Sequence, residues 1–429
     1  MLGLVLALAP LEAQALQPME EFLTKARSHN YDARVQQATE EQRDWEVQAA
    51  IGRLLPSLSA RGVYQRNEFP VSRALAPGAK PTVLTPQDQL DAYFQVDVPL
   101  LDLSSFHKIT QARHLAQAAD EQSDVVATDV QRSISRSYYS FIGASALQQA
   151  AEQSLQMAQA NADFVAVRHE AGVALALDLE RARANVERAR QDVADANLLR
   201  VTAARNLETL SGLTPTPVGD FEEDDLHSEG ELNAWLSARD TPAERAQRQQ
   251  VEAAKAGRRA ARSSLLPTLS ANGVERITNA TGFAGQSNFY TLQAVAAWKL
   301  DYVTYANARA QSAALGTEQI RAERTRRQVE DAIFDAYQRV QAGLAKSASA
   351  RAQADAAQKA ASLASERYQA GAVTQLDVTQ SQRDAFQAQA ARIQADADLA
   401  YARVALRTAA GKSPTTSSAA SASPSAASN

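Results

Sequence analysis

The sequence predicts an α+β chain made of two copies of one unit, in which long helices alternate with pairs of strands. Three observations carry that expectation. First, Leu54-Leu55-Pro56-Ser57-Leu58-Ser59-Ala60 returns as Leu265-Leu266-Pro267-Thr268-Leu269-Ser270-Ala271. In the same order, Arg168-His169-Glu170-Ala171-Gly172 with Asp178-Leu179 returns as Arg367-Tyr368-Gln369-Ala370-Gly371 with Asp377-Val378. Such self-similarity marks a duplicated architecture. Second, residues 100–214 and 268–413 hold no proline, as helix interiors require, because proline lacks the N–H donor and clashes with the preceding turn. Third, four short segments switch to alternation of apolar and polar residues, the period of a strand.

A chain of 429 residues would ordinarily make two or three globular domains. Here aromatics are only 6% and Ala, Gln and Arg fill the helical stretches, a composition suited to thin, closely packed helices rather than a wide core. A net charge of -5 points to neither nucleic acid nor an anionic membrane surface as partner. The absence of cysteine excludes disulfides, thiolate metal ligands and a lipidated N-terminal Cys.

Residues 1–15 read as a signal peptide, with the apolar run Leu2-Gly3-Leu4-Val5-Leu6-Ala7-Leu8-Ala9 and a small-x-small site at Ala13-Gln14-Ala15. The usual basic start is missing, and a buried helix end is the competing reading. No other stretch approaches the ~20 apolar residues of a transmembrane helix, so any membrane crossing falls to strands.

The first copy, residues 16–212, opens with a helix and continues into a strand hairpin at 57–100. In it Leu58, Ala60, Gly62 and Tyr64 alternate with Ser57, Ser59, Arg61 and Val63. Leu90, Ala92, Phe94, Val96 and Val98 alternate with Asp91, Tyr93, Gln95 and Asp97, after a long loop at 67–87. An unbroken helix from 105 to 170 would run about 100 Å at ~1.5 Å per residue. Gly172 then reads as a left-handed turn. The return helix carries an Ala-rich coiled-coil seam, Leu179, Ala182, Val186, Ala189, Val193 and Ala196. Residues 213–240, with Pro215, Pro217 and the acidic run Glu222-Glu223-Asp224-Asp225, form a connector with a short helix near 232–236.

The second copy, 241–411, repeats the order, with a strand hairpin at 268–300, a turn at Gly371 and a seam of Phe386, Ala390, Ile393, Ala397, Ala400 and Val404. Residues 412–429 read as a disordered Ser/Ala-rich tail.

One apolar and one polar face over ~10 residues suits a transmembrane β-barrel strand, and an ordinary half-buried sheet has the same signature. In lipid, four strands cannot close, and unpaired edges are forbidden there. Several chains would then share one barrel, and three would supply twelve strands.

On the duplicated Arg-x-x-Ala-Gly turns followed by Asp, and the duplicated Leu-Leu-Pro-x-Leu-Ser-Ala segments, the chain resembles the TolC family of outer-membrane factors over essentially its whole mature length. The resemblance implies a homotrimeric membrane protein in outer-membrane lipid. Its twelve-stranded transmembrane β-barrel, four strands per chain, would continue into a long periplasmic α-helical coiled-coil barrel. It implies the exit duct of a tripartite efflux pump, or of a type I protein secretion system, joined by a periplasmic adaptor (a membrane fusion protein) to an inner-membrane transporter. Carried onto this chain, Gly172-Val173 and Gly371-Ala372 become tips that touch the adaptor. Asp178 and Tyr368 become polar links of a closed periplasmic gate, and Asp377 faces the pore in an acidic ring.

Two positions depart from the family pattern. Val373 stands where some members place a basic gating residue, and Gln380 where a second ring acid would lie, which implies fewer polar links and a less acidic entrance. Plain capping is the competing role for Asp178 and Asp377, since Asp near a helix N-terminus is stabilising; the two roles are compatible. The rival from another class is a periplasmic coiled-coil scaffold with a small ordinary sheet.

No catalytic chemistry is expected. His29, His107, His114, His169 and His227 are scattered, and His107 and His114 have no third ligand beside them, so neither a metal nor a cofactor is expected. Phosphate loops and nucleophile triads are missing, and the basic run 321–327, interrupted by Glu323, reads as a solvated face.

Overall fold

The computed structural model describes residues 16–74, 76–78, 81–216, 225–237 and 239–414. The expected signal peptide, the acidic residues 222–224 and the tail beyond 414 lie outside the described residues. The chain divides into two compact units, one of Met1–Gln37, Ser123–Pro242 and Arg326–Asn429, the other of Ala38–Gln122 and Ala243–Thr325.

The second unit holds the strands β1 (Ser57–Arg66), β4 (Asp88–Leu101), β5 (Thr268–Thr278) and β6 (Asn288–Ala297), which follow a helix α2 (Tyr31–Gly52). They form one antiparallel sheet in the order β1-β4-β5-β6. The side-chain period of two then sorts the sheet into faces. One face is apolar and open, with Leu58 76%, Leu292 75% and Tyr290 74% exposed. The other carries Ser59, Arg61, Tyr93, Gln95, Asp97, Asn272, Arg276 and Gln293. Within the loop after β1, β2 (Val71–Arg73) and β3 (Thr82–Thr85) pair as a separate ribbon. The sequence gives no sign of it, because three or four residues cannot display an alternation.

Each strand pair hands over to a long helix at an aspartate. Asp102 accepts from the Ser105 N–H at 3.0 Å ahead of α3 (Leu103–Glu170), and Asp301 accepts from the Thr304 N–H at 2.7 Å ahead of α7 (Tyr302–Gln369). Both are N-caps that satisfy otherwise orphaned donors. The two helices run 68 residues each without a break. Helix α6 (Pro242–Ser263) is packed by small residues, Ala246, Ala253, Ala256 and Ala260, and Arg245 ties it to Glu121 of α3 at 2.6 Å.

In the first unit, α3 pairs with α4 (Ala176–Ser211) and α7 with α8 (Gln375–Ala409). Ile134, Phe141, Ala203 and Leu207 make one core, closed by Phe22 and Ala26 of α1 (Met19–His29). Ile333, Val340, Ala402 and Leu406 make another, closed by Trp235 of α5 (Leu232–Ser237). Three of the six seam positions expected on α8 are buried and three are only half inside. Ile393, Ala397 and Val404 are buried, but Phe386, Ala390 and Ala400 are half-buried, while Leu399 and Leu406 are fully enclosed. The reason is that α8 is covered on two sides. A Cβ on Gly143 of α3 would lie 3.3 Å from Ala397, and one on Gly343 of α7 would lie 3.2 Å from Leu399.

Candidate functional site

The site suggested by the duplicated motifs is the end of the helical unit where both helix pairs turn. Gly172 adopts φ +75 and Gly371 φ +76, a left-handed conformation that glycine alone adopts without a Cβ clash. Around each, two backbone bonds close the helix end. Val173 N–H donates to Arg168 O at 2.9 Å and Gly172 N–H to His169 O at 2.9 Å; Ala372 N–H donates to Arg367 O at 2.8 Å and Gly371 N–H to Tyr368 O at 3.0 Å. This is the Schellman arrangement, which satisfies carbonyls the helix leaves unpaired. Gly172, Val173, Gly371 and Ala372 are all exposed.

The two returning helices start differently. At α8, Thr374 Oγ1 accepts from the Asp377 N–H at 3.3 Å, while Asp377 accepts from the Thr374 N–H at 2.8 Å and its hydroxyl at 2.7 Å, a complete capping box. Those Thr374 bonds hold the Asp377 carboxyl below its ordinary range. A group depressed in this way stabilises above its unfolded pKa, and the contribution disappears as pH falls through the folded value, so the box persists at neutral pH and is lost only in acid. At α4 the N-cap is Leu175, with no side-chain bond. Asp178, half-buried, sits in the first turn with Arg181 at 3.9 Å, and the His169 Nδ1 reaches Ala174 O at 2.9 Å.

Thr374→Ala removes one half of the box, worth about 1 kcal/mol. Hydrogen exchange of the Asp377 and Val378 amides should quicken about five-fold, with the first turn of α4 unaffected.

Tyr368 is 8% exposed and packs with Val165, Leu179, Ala182 and Val378. Burial raises its hydroxyl pKa first and the Asp178 charge raises it further, against an opposing effect of Arg168. Tyr368 therefore stays an uncharged phenol. Asp178 directly precedes Leu179, which packs in the same cluster as Tyr368. Asp377 and Gln380 lie instead on the exposed side of α8, where Gln380 donates to Asp384 at 2.8 Å.

Arg168, the first residue of the duplicated turn motif, has a role that its spacing does not announce. Its Nη1 donates to Tyr368 O at 3.3 Å and Gln369 O at 3.4 Å, and its guanidinium lies 5.3 Å from the Tyr368 ring centroid and 5.6 Å from that of Phe164. A cation of the first helix pair thereby caps the C-terminus of α7, where exposed carbonyls and the helix dipole favour positive charge. The signal was present in the duplicated Arg, but nothing in the spacing says that only the first copy reaches across.

The family described as "Outer membrane efflux protein" matches residues 22–213 and 239–412, most of the chain. No match was found among curated protein sequences. Among solved structures, a membrane protein from Pseudomonas aeruginosa shares 20% identity with a TM-score of 0.78, covering 92% of this chain and 90% of that one. The Campylobacter jejuni CmeC outer membrane channel shares 16% identity at a TM-score of 0.77, over 95% and 90% of the two chains. The Neisseria gonorrhoeae MtrE outer membrane channel, in its open state, shares 17% at 0.73, over 94% and 92%. These likenesses establish the fold. Matched by the family description along nearly its whole described length, the chain belongs to the outer membrane efflux protein family and is a protein of the Gram-negative outer membrane.

Proposed function

We propose that three copies of this chain form the exit duct of a tripartite efflux pump, a passive conduit for small molecules across the outer membrane. One observation carries the reading. The sheet is open, its β1 and β6 edges have no partner strand among the described residues, and its apolar face is bare. Lipid tolerates an apolar face but no free edge, so neighbouring copies must pair β6 with β1, and three copies supply the twelve strands of a barrel. Exposed Leu198, Leu199 and Val201 on α4, each at least 50% accessible, give the helices apolar surface to bury between copies.

In this reading Asp178 and Tyr368 hold the periplasmic gate, and Asp377 and Gln380 line its entrance. Gly172, Val173, Gly371 and Ala372 meet the periplasmic adaptor, through which an inner-membrane transporter is reached. Exposed Val173 (65%), Leu175 (69%) and Leu376 (52%) around the turns suit a protein partner. The test is fractionation followed by electrophoresis. The chain should require detergent for extraction and migrate as a trimer unheated and as a monomer after boiling. Extraction by salt alone, or a monomer in mild detergent, would sink the shared barrel.

A further inference from the structure

One row of side chains crosses the polar face of the sheet from edge to edge. Arg61 of β1 is paired with Tyr93 of β4, Tyr93 with Arg276 of β5, and Arg276 with Phe289 of β6. The contacts are real as well as in register. The Arg61 guanidinium lies 4.9 Å from the Tyr93 ring centroid, and that of Arg276 lies 5.5 Å from Tyr93 and 5.6 Å from Phe289. One tyrosine thus holds two cations on the same face.

The two cations differ in what balances them. Arg276 donates from Nε at 2.9 Å and Nη2 at 2.8 Å to Asp91, whose side chain is only 5% exposed, so its charge is neutralised locally. Arg61 is exposed, and among the described residues no carboxylate pairs with it. The remaining acid of this face, Asp97, accepts from Gln95 at 2.8 Å and sits two face positions further down β4. Stacking on Tyr93 holds Arg61 against the wall without cancelling its charge.

We propose that Arg61 makes the barrel lumen favour anionic solutes, those bearing carboxylate, phosphate or sulfonate groups, over cationic ones. The inference rests on the reading of the polar face as the lumen of a trimer, in which three copies of Arg61 stand at one level. Field lines confined by a low-dielectric wall strengthen such a collar.

The chain has no cysteine, so a single thiol can report the local potential. Ser59→Cys places one on the same face of β1, two residues or about 7 Å from Arg61. Modification rates are measured in proteoliposomes with the anionic ethylsulfonate and the cationic trimethylammonium methanethiosulfonates, with Arg61 present and with Arg61→Gln. Removing one charge at that distance should lower the anionic-to-cationic rate ratio about five-fold at low salt and less at high salt. A ratio unchanged by Arg61→Gln and by Arg61→Glu overturns the inference and leaves the duct standing. A thiol that reacts with neither reagent in membranes overturns the lumen assignment itself.

Discussion

Arg168→Ala should raise the single-channel conductance of the isolated protein in planar bilayers several-fold, and should let large antibiotics that the outer membrane normally excludes reach the cell. The reason is that Arg168 joins the two helix pairs at the tip through both hydrogen bonds and ring contacts. It caps the α7 carbonyls of Tyr368 and Gln369 and stacks on Phe164 and Tyr368. A charged hydrogen bond is worth about 1.5–3 kcal/mol and an exposed cation–π contact about 0.5–1. The guanidinium is only half-buried and its bonds are long, so a combined loss of about 1–2 kcal/mol is the fitting scale. That shifts a closed-to-open equilibrium by roughly 5- to 30-fold.

Arg168→Lys separates the contributions, since it keeps the charge but loses the planar fork and the stacking; it should fall between wild type and Ala. Tyr368→Phe should do little, because the phenol packs in a core and no hydrogen bond holds its hydroxyl among the described residues. Unchanged conductance in Arg168→Ala and in Asp178→Asn together would remove the tip from any gating role.

The helices and strands were legible because their signals are long or duplicated. Sixty-eight residues without proline leave little but helix, and ten alternating residues leave little but a strand. The ribbon β2–β3 was not legible, since its strands are shorter than one readable period. The second buried stripe of α8, Leu399, Ala402 and Leu406, was missed because one seam does not tell whether a helix is covered on a second side; packing with α7 decides it. At the tip, Asp377 as an N-terminal cap was written in Thr-x-x-Asp, whereas the reach of Arg168 across to another helix depends on distances that no spacing encodes. The Arg61 row was equally hidden. Arg61 and Tyr93 were placed on their faces by alternation, but the register between strands, which brings two cations to one tyrosine, comes from pairing.

Arg403→Ala should release the connector. Arg403, with its side chain 6% exposed, donates from Nη1 to Glu229 at 2.7 Å and from Nη2 to His227 O at 2.7 Å. The same Nη1 faces His227 Nε2 at 2.9 Å, while His227 Nδ1 meets Asp225 at 2.5 Å. A guanidinium can only donate, so this network assigns the imidazole proton to Nδ1 and leaves Nε2 as acceptor. Glu229 is 10% exposed. Removing its cation leaves a carboxylate buried without a partner, which costs about 3–5 kcal/mol. Strain adds to the effect. Leu226 holds φ 57, a left-handed conformation that costs an L-residue about 1–2 kcal/mol. Its side chain packs against the core of Trp235, Ile333 and Leu399, and that packing together with the Arg403 clamp keeps it there. Once the clamp goes, the strain is relieved by opening rather than by folding back. Limited proteolysis should therefore cut residues 225–231 at least a hundred-fold faster in Arg403→Ala, because cleavage of a rapidly opening segment follows the opening equilibrium. The double variant Arg403→Met with Glu229→Leu, which replaces both charges by apolar groups of similar size, should recover most of the protection. Equal cleavage of Arg403→Ala and wild type would mean that packing of Leu226 alone secures the connector. A double variant as labile as Arg403→Ala would mean that the ion pair is needed for its geometry, not merely to avoid an unpaired charge.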